Sequence, residues 1–365
     1  MPSVQQVIQH LATLAPPAYQ EGYDNSGLIV GDPQAEVSGV LVSLDAIESV
    51  VDEAIAKGCN LIVSHHPIVF RGLKSLTGKN YIERTVIKAI KHDIALYAIH
   101  TNLDNVQHGV NRRISERLGL QNVRVLAPKA DTLQKLVTFA PLADADRVLQ
   151  ALGEAGAGQI GNYRNCSFQT TGTGRFQPNE QAKPHIGEAG TLEQVEEQRI
   201  EVIYPAHLAS QILAALRTAH PYEEVAYYQQ ELLNQNQDVG SGMVGELPEP
   251  LSEDKFLAHL KKSMQLSVVR HTRLPEKPVH RVAVCGGAGS FLLPHALRQR
   301  ADAFVTADYK YHEFFDADGQ LLIADIGHYE SEVFTKDLLW EFLSEKFVNF
   351  AVHLAEVNTN PVFYA

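Results

Sequence analysis

The chain has 365 residues, 45% of them hydrophobic, and a formal net charge of −12. That length points to two domains with room for a sizeable core. The acidic balance excludes a whole-surface nucleic-acid binder, because phosphate contacts need clustered Lys and Arg, although a local basic patch stays open. Three cysteines, Cys59, Cys166 and Cys285, with no CxxC spacing, exclude a disulfide framework and a thiolate zinc site. The opening "MPSVQQVIQHLATLAPP" lacks the form of a signal peptide, and no apolar run is long enough to cross a bilayer. The expectation is a soluble cytoplasmic protein.

From residue 38 strands and helices alternate. "VSGVLVSLD" predicts a strand, Ala46 to Lys57 a helix, "CNLIVSHH" a strand and "YIERTVIKAIKHD" a helix. "IALYAIHTNLD" follows as a strand and "GVNRRISERLGL" as a helix. Near-continuous apolar strands separated by helices predict a mostly parallel sheet covered on both faces. Near residues 126–134 the character changes. "KLVTFAP", "ADADRVLQALGEAG", "NYRNCSFQTTG", "RIEVIYP", "AHLASQILAALRTAH" and "EVAYYQQEL" then read as β-α-β-β-α-β, a ferredoxin-like order. The polar run "NQNQDVGSG" (234–242) reads as the exit from that stretch. Alternation returns with "HRVAVCGG", "SFLLPHALRQR", "AFVTAD", "QLLIADIGH" and the helix "SEVFTKDLLWEFLSEKF". The fold class is therefore α/β: a discontinuous core, residues 1–129 and 237–365, with an inserted α+β domain at 130–236.

In open parallel sheets ligands bind beyond the carboxyl ends of the strands. Here those ends carry Asp45, the adjacent pair His65 and His66, His100 with Asp104, and His328, with Glu332 one helical turn later. A lone histidine in such a place is more often structural. Histidines recur at three of these strand ends, and such a polar cluster beside an apolar sheet is costly without partners, which favours a metal site. Neighbours in a continuing strand face opposite sides, but Pro67 ends the pairing, so both rings of the pair can reach one cleft. That suits two ions bridged by a carboxylate such as Glu332.

"SHHP", "HTNLD" and "GHYESE" together resemble the Nif-three-like dinuclear metal-centre proteins, known also as GTP cyclohydrolase 1 type 2 homologues. "YDNSGLIVGD" is similar to the family's opening, with Tyr23 where Trp is common, and "VAVCGGAGS" and "TADYKYHEFFDA" match further segments. The resemblance implies two divalent ions per chain held by His65, His66, Asp104, His328 and Glu332. His66 and Asp104 would hold one, His65 and His328 the other, with Glu332 bridging. Imidazole and carboxylate ligands suit Zn, Fe, Mn, Co or Ni. Asp45, His100 and His312 are then candidates for orienting ligands or relaying protons. The resemblance also implies that the insert is similar to the PII and CutA proteins, and that the chain assembles as a homo-oligomer, a ring-shaped hexamer.

Other signals are weaker. "CGGAGS" (285–290) fits neither GxGxxG nor a P-loop and reads as a tight strand-to-helix turn. "HPYEE" (220–224) reads as turn chemistry, and Cys59 and Cys285 as core residues. "FRGLKSLTGK" puts Arg71, Lys74 and Lys79 after the histidine pair, where they either form a solvated loop or collect a small anionic or nucleotide substrate. Two functional readings follow. In the first, the protein is a metal-dependent hydrolase whose metal-bound hydroxide attacks the purine ring of GTP, as the family name suggests, or a phosphoester. In the second, it is a non-catalytic metal-binding scaffold or regulator with a ligand-sensing insert.

Overall fold

The computed structural model describes residues 1–273 and 277–365. In chain order it begins with α1 (Val4–Leu14), β1 (Gly27–Val30), β2 (Gly39–Ser43), α2 (Glu48–Ala56), β3 (Leu61–Ser64) and α3 (Tyr81–Lys91). β4 (Ala95–Ala98), α4 (Thr101–Asp104), α5 (Val110–Arg117) and β5 (Gln121–Lys129) follow. Next come β6 (Leu133–Pro141), α6 (Ala145–Glu154), β7 (Ser167–Phe176), β8 (Glu193–Pro205), α7 (Ala209–Ala219) and β9 (Tyr227–Glu231). The remainder is β10 (Asn236–Leu251), α8 (Glu253–Met264), β11 (Arg270–His271), β12 (Val279–Ala288), α9 (Leu293–Arg298) and β13 (Ala303–Ala307). β14 (Leu322–Asp325), α10 (His328–Glu332), α11 (Thr335–Lys346) and β15 (Ala351–Leu354) complete it.

The chain divides into two compact units, one of Met1–Ala127 with Asp238–Ala365 and the other of Pro128–Gln237. The first is mixed α/β with two sheets. One has the order β1-β4-β3-β2-β15; β4, β3, β2 and β15 run parallel, and β1 is antiparallel to β4. The other has the order β11-β14-β13-β12-β10-β5, with β12, β13 and β14 parallel, β10 antiparallel to β12 and β11 antiparallel to β14. β2, β3, β13 and β14 are buried along their whole length. Their sequences GVLVS, LIVS, AFVTA and LIAD suit strands covered on both faces, each buried Val, Leu or Ile contributing roughly 1.5–3 kcal/mol. Helix ends are set locally. Ser3 and Gln6 form a reciprocal capping box on α1, and the Asn80 side chain accepts from Glu83 N at the start of α3.

The second unit is a four-stranded antiparallel sheet, order β7-β8-β6-β9. Its own core includes Leu136, Val148, Leu152, Ile200, Ile212 and Leu216.

Three segments depart from the sequence reading. The run 234–242, expected as an exit loop, enters the sixteen-residue β10, because main-chain pairing in a sheet needs no apolar side chains. The strand expected over 162–172 begins only at Ser167. The single helix expected over 331–347 is split, since His328 to Glu332 form a separate short helix before α11.

Candidate metal centre

Five side chains converge beyond the carboxyl ends of β3, β4 and β14. After β3, His65 N and His66 N still bond the carbonyls of Ser43 and Leu44, at 3.3 and 2.9 Å, and Pro67 stops the ladder. The two rings nevertheless lie on one side, with centroids 4.9 Å apart and planes at 45°.

His65 is wholly buried. Its Nδ1 donates to the Ile99 carbonyl at 2.8 Å, which leaves the Nε2 lone pair facing inward. That atom has no hydrogen-bond partner, and neither has the buried Asp104 Oδ1; the two are 3.6 Å apart. Glu332 Oε1 lies 3.9 Å from the same nitrogen. An unpaired buried polar atom costs about 1–3 kcal/mol, and here two acceptors face one gap. Burial and the neighbouring Glu332 carboxylate both push the Asp104 carboxyl up.

His66 is held on the other side. Its Nδ1 bonds Asp45 Oδ1 at 2.8 Å and its Nε2 meets Glu332 Oε2 at 2.9 Å. His328 repeats the pattern, with Nδ1 on Asp308 Oδ2 at 2.7 Å and Nε2 at 3.0 Å from Glu332 Oε2. The two Nε2 atoms are 3.3 Å apart. Burial works against charge on both rings, but the carboxylates prevail: Asp45 and Glu332 raise His66 to about 9, and Glu332 with Asp308 raises His328 to about 11. Burial likewise opposes the Glu332 carboxylate, which His328 nevertheless holds well below its ordinary value.

The donor atoms fall into three overlapping groups whose members all lie within 4.8 Å of one another: His66, His328 and Glu332; His65, Asp104 and Glu332; and His65, His66 and His100. This departs from the expected pairing of His66 with Asp104 and His65 with His328. Ile99 at the end of β4 turns His65 toward α4, where Asp104 sits. Asp45 turns His66 toward α10. All three histidines anchor Nδ1 and aim Nε2 inward, the outer support usual for metal-binding imidazoles, so the residues fit divalent cations.

Of the remaining sequence candidates, Asp45 supports His66, and its second oxygen accepts from Thr359 Oγ1. His100 Nδ1 bonds Asp24 Oδ1 at 2.8 Å, and its ring sits 5.2 Å from His65 and 5.4 Å from His66. His312 is a correction: it is exposed, packs edge-on against Tyr311 at 5.2 Å, and belongs to none of the three groups, because the short helix Tyr311–Ala317 presents it to solvent. Arg71 and Lys74 are exposed. Lys79 pairs with Glu83 at 3.5 Å. The Glu83 carboxylate shapes that loop, accepting from Thr77 N at 2.9 Å, Thr77 Oγ1 at 3.0 Å and Lys79 N at 3.3 Å.

Sequence reasoning missed Asp24, Asp308 and Thr359. The Asp24 side chain is buried and also accepts from Thr101 N, Thr101 Oγ1 and Ser26 Oγ. Asp308 follows β13 directly, so the strand-end rule could have found it. It also missed the role of the glycine pair in "CGGAGS". Gly286 N donates to Asn111 Oδ1, whose Nδ2 donates to the Asp104 carbonyl. Gly287 N donates to Ser331 Oγ at 2.9 Å. Gly287 has φ +61°, and a Cβ there would lie 2.5 Å from Glu332 Oε1 and 3.2 Å from His328 Cε1. The glycine clears the space that Glu332 occupies.

Residues 2–361 match the family model Duf34/NIF3 (NGG1p interacting factor 3). A GTP cyclohydrolase 1 type 2 homolog from Halalkalibacterium halodurans is 41% identical over 363 residues, covering 98% of this chain and 97% of the relative. Its namesake from Bacillus subtilis is 38% identical over 362 residues, with the same coverage. Among solved structures, a Bacillus cereus protein related to NIF3 superposes with a TM-score of 0.89 at 39% identity, covering 100% of this chain and 99% of that one. No helix among the described residues is long and apolar enough to cross a membrane.

Proposed function

Because the chain belongs to the Duf34/NIF3 family, we propose that it is a hydrolase built on two divalent ions held by His65, His66, Asp104, His328 and Glu332. The observation that carries this reading is the buried, partnerless pair His65 Nε2 and Asp104 Oδ1, 3.6 Å apart beside Glu332. Glu332 directs Oε1 toward that pair and Oε2 toward His66 and His328, which suits a bridging carboxylate. When bound, two such ions supply Lewis acidity and make bound water acidic.

The protein's own groups do the rest. Ile99, Asp45 and Asp308 engage Nδ1 of the three ligand histidines, so Nε2 is the nitrogen each ring turns to the centre; at His66 and His328 an ion would take the place of the Nε2 proton that Glu332 favours. His100, oriented by Asp24 and flanking His65 and His66, is placed to pass a proton between substrate and solvent. Arg71 and Lys74 lie in an exposed loop and draw in an anion. The relatives' name makes GTP the first substrate to test and a phosphoester the second. We also read the unit Pro128–Gln237 as ferredoxin-like, a reading its β-α-β-β-α-β element order supports. A hexameric assembly belongs to the same proposal and is read by light scattering.

The test is a screen of nucleotides and phosphoesters with each candidate metal, comparing wild type with His65→Ala and Asp104→Asn. Turnover that needs added metal and disappears in both variants, while both stay folded, supports the hydrolase. If no turnover depends on the two residues, the enzyme reading falls and the metal-binding scaffold replaces it.

A further inference from the structure

After β15 the chain has no regular secondary structure, yet it is held at successive points along residues 355–364. Ala355 N donates to the Val42 carbonyl at 2.8 Å. Glu356 N and Val357 N both donate to the Glu53 carboxylate. Thr359 Oγ1 then donates to Asp45 Oδ2, and Asn360 Nδ2 to Glu330 Oε1 at 3.0 Å. The Tyr364 hydroxyl packs at Gly327, where a Cβ would lie 2.9 Å from it. The segment thus runs from the edge of one sheet to the short helix that follows β14 in the other.

Those contacts are not spread evenly over the metal centre. Asp45 gives one oxygen to Thr359 and the other to His66 Nδ1. Glu330, which Asn360 grips, lies on α10 between His328 and Glu332. Among the described residues the segment makes no hydrogen bond to His65 or Asp104, nor to Ile99 and Asn111, which hold them. From this asymmetry we infer that residues 356–364 form a clasp that positions the His66 side of the centre, chiefly the His66 ring through Asp45, and does not reach His65 and Asp104 on the other side. Thr359 and Asn360 are its positioning residues. Neither touches the ion; Thr359 fixes the carboxylate that fixes the imidazole. Loss of the carboxylate that holds a ligating imidazole weakens metal binding about 10–100-fold, and Thr359, one hydrogen bond further out, is expected at the low end of that range.

The inference rests on the metal-centre reading, and its test separates the two. Thr359→Val is introduced into two backgrounds, His65→Ala, which leaves only the His66 half intact, and His66→Ala, which leaves only the other. Zinc affinity is read by titration against a competing chelator. The clasp predicts at least about tenfold weaker binding from Thr359→Val in the His65→Ala background, no change in the His66→Ala background, and wild-type affinity for Thr359→Ser. Equal weakening in both backgrounds, or none in either, overturns it. If wild-type protein takes up no ion, the metal reading fails, and histidine-ring 15N NMR decides the clasp without metal. The His66 signals then move in Thr359→Val and return in Thr359→Ser, and unmoved signals overturn the inference.

Discussion

Replacing Gly287 with alanine tests whether the glycine pair exists to make room for the bridging carboxylate. At φ +61° an alanine pays the left-handed penalty of roughly 1–2 kcal/mol. Its Cβ would also sit 2.5 Å from Glu332 Oε1, about 0.9 Å inside ordinary contact at 3.4 Å. Glu332 is 3% exposed and its Oε2 is already engaged by His66 and His328, so the carboxylate has little room to retreat. Metal–ligand distances tolerate roughly 0.2 Å, so a displacement several times larger takes Oε1 out of reach of an ion it would share with His65 and Asp104. The expectation is zinc affinity at least about tenfold weaker, with the fold retained. Gly319→Ala is the control. That residue has φ +65° and open space around its Cβ position, so it carries the backbone cost without the collision. Chelator-competition titrations and denaturant midpoints are measured on both. Wild-type zinc affinity in Gly287→Ala refutes the steric argument, and so does an equal loss of affinity in Gly319→Ala.

Three other outcomes follow from the geometry. The Thr77 N–H, opposed by burial and helped by the Thr77 hydroxyl and Lys79 N–H, holds Glu83 down to about 2; its contribution to holding the 71–80 loop is therefore present above its unfolded value, about 4.3, and fades as pH falls from there through about 2. Glu83→Gln should flatten that limb of the stability curve, and an unchanged acid limb in thermal melts from pH 2 to 5 contradicts the assignment. Arg71→Ala and Lys74→Ala should raise KM severalfold and leave kcat within about twofold, because they gather substrate without touching the reacting atoms; a fall in kcat at constant KM places them in the chemistry instead. Replacing Pro128–Gln237 by a short Gly/Ser linker should leave a soluble core that binds the same metal complement as the full chain, read by elemental analysis, whereas insolubility across several linker lengths argues that the two units depend on each other.

The parts of the core legible in the sequence are those whose environment is uniform along the strand. β2, β3, β13 and β14 are buried throughout, so apolar runs disclose them and their polar ends stand out as ligand candidates. β1 and β15 are only partly buried and carry no such signal. The ring supports were harder to find. Asp24 reaches His100 across 76 residues and Thr359 reaches Asp45 across 314, contacts created by tertiary packing and invisible to local spacing. The pairing of His66 with His328 is likewise decided by which neighbour anchors each Nδ1, a choice between equally spaced alternatives that no motif encodes.

The position of the second unit in the chain bears on how the protein folds. β5 and β10 are neighbours in one sheet, so the whole stretch between them is the connection from one strand to the strand beside it. Its own first and last strands also pair, with Gln134 opposite Glu231 and Leu232 N bonded to the Leu133 carbonyl at 3.1 Å. A chain that folds this unit first therefore presents the core with a connection of effectively ten or so residues instead of more than a hundred. The closure entropy saved is about 2 kcal/mol, enough to bring β10 to β5 tens of times more often. Early folding of the middle of the sequence would then act as a kinetic staple for the sheet that carries His328 and Glu332, and refolding followed with probes in each unit should show the middle leading.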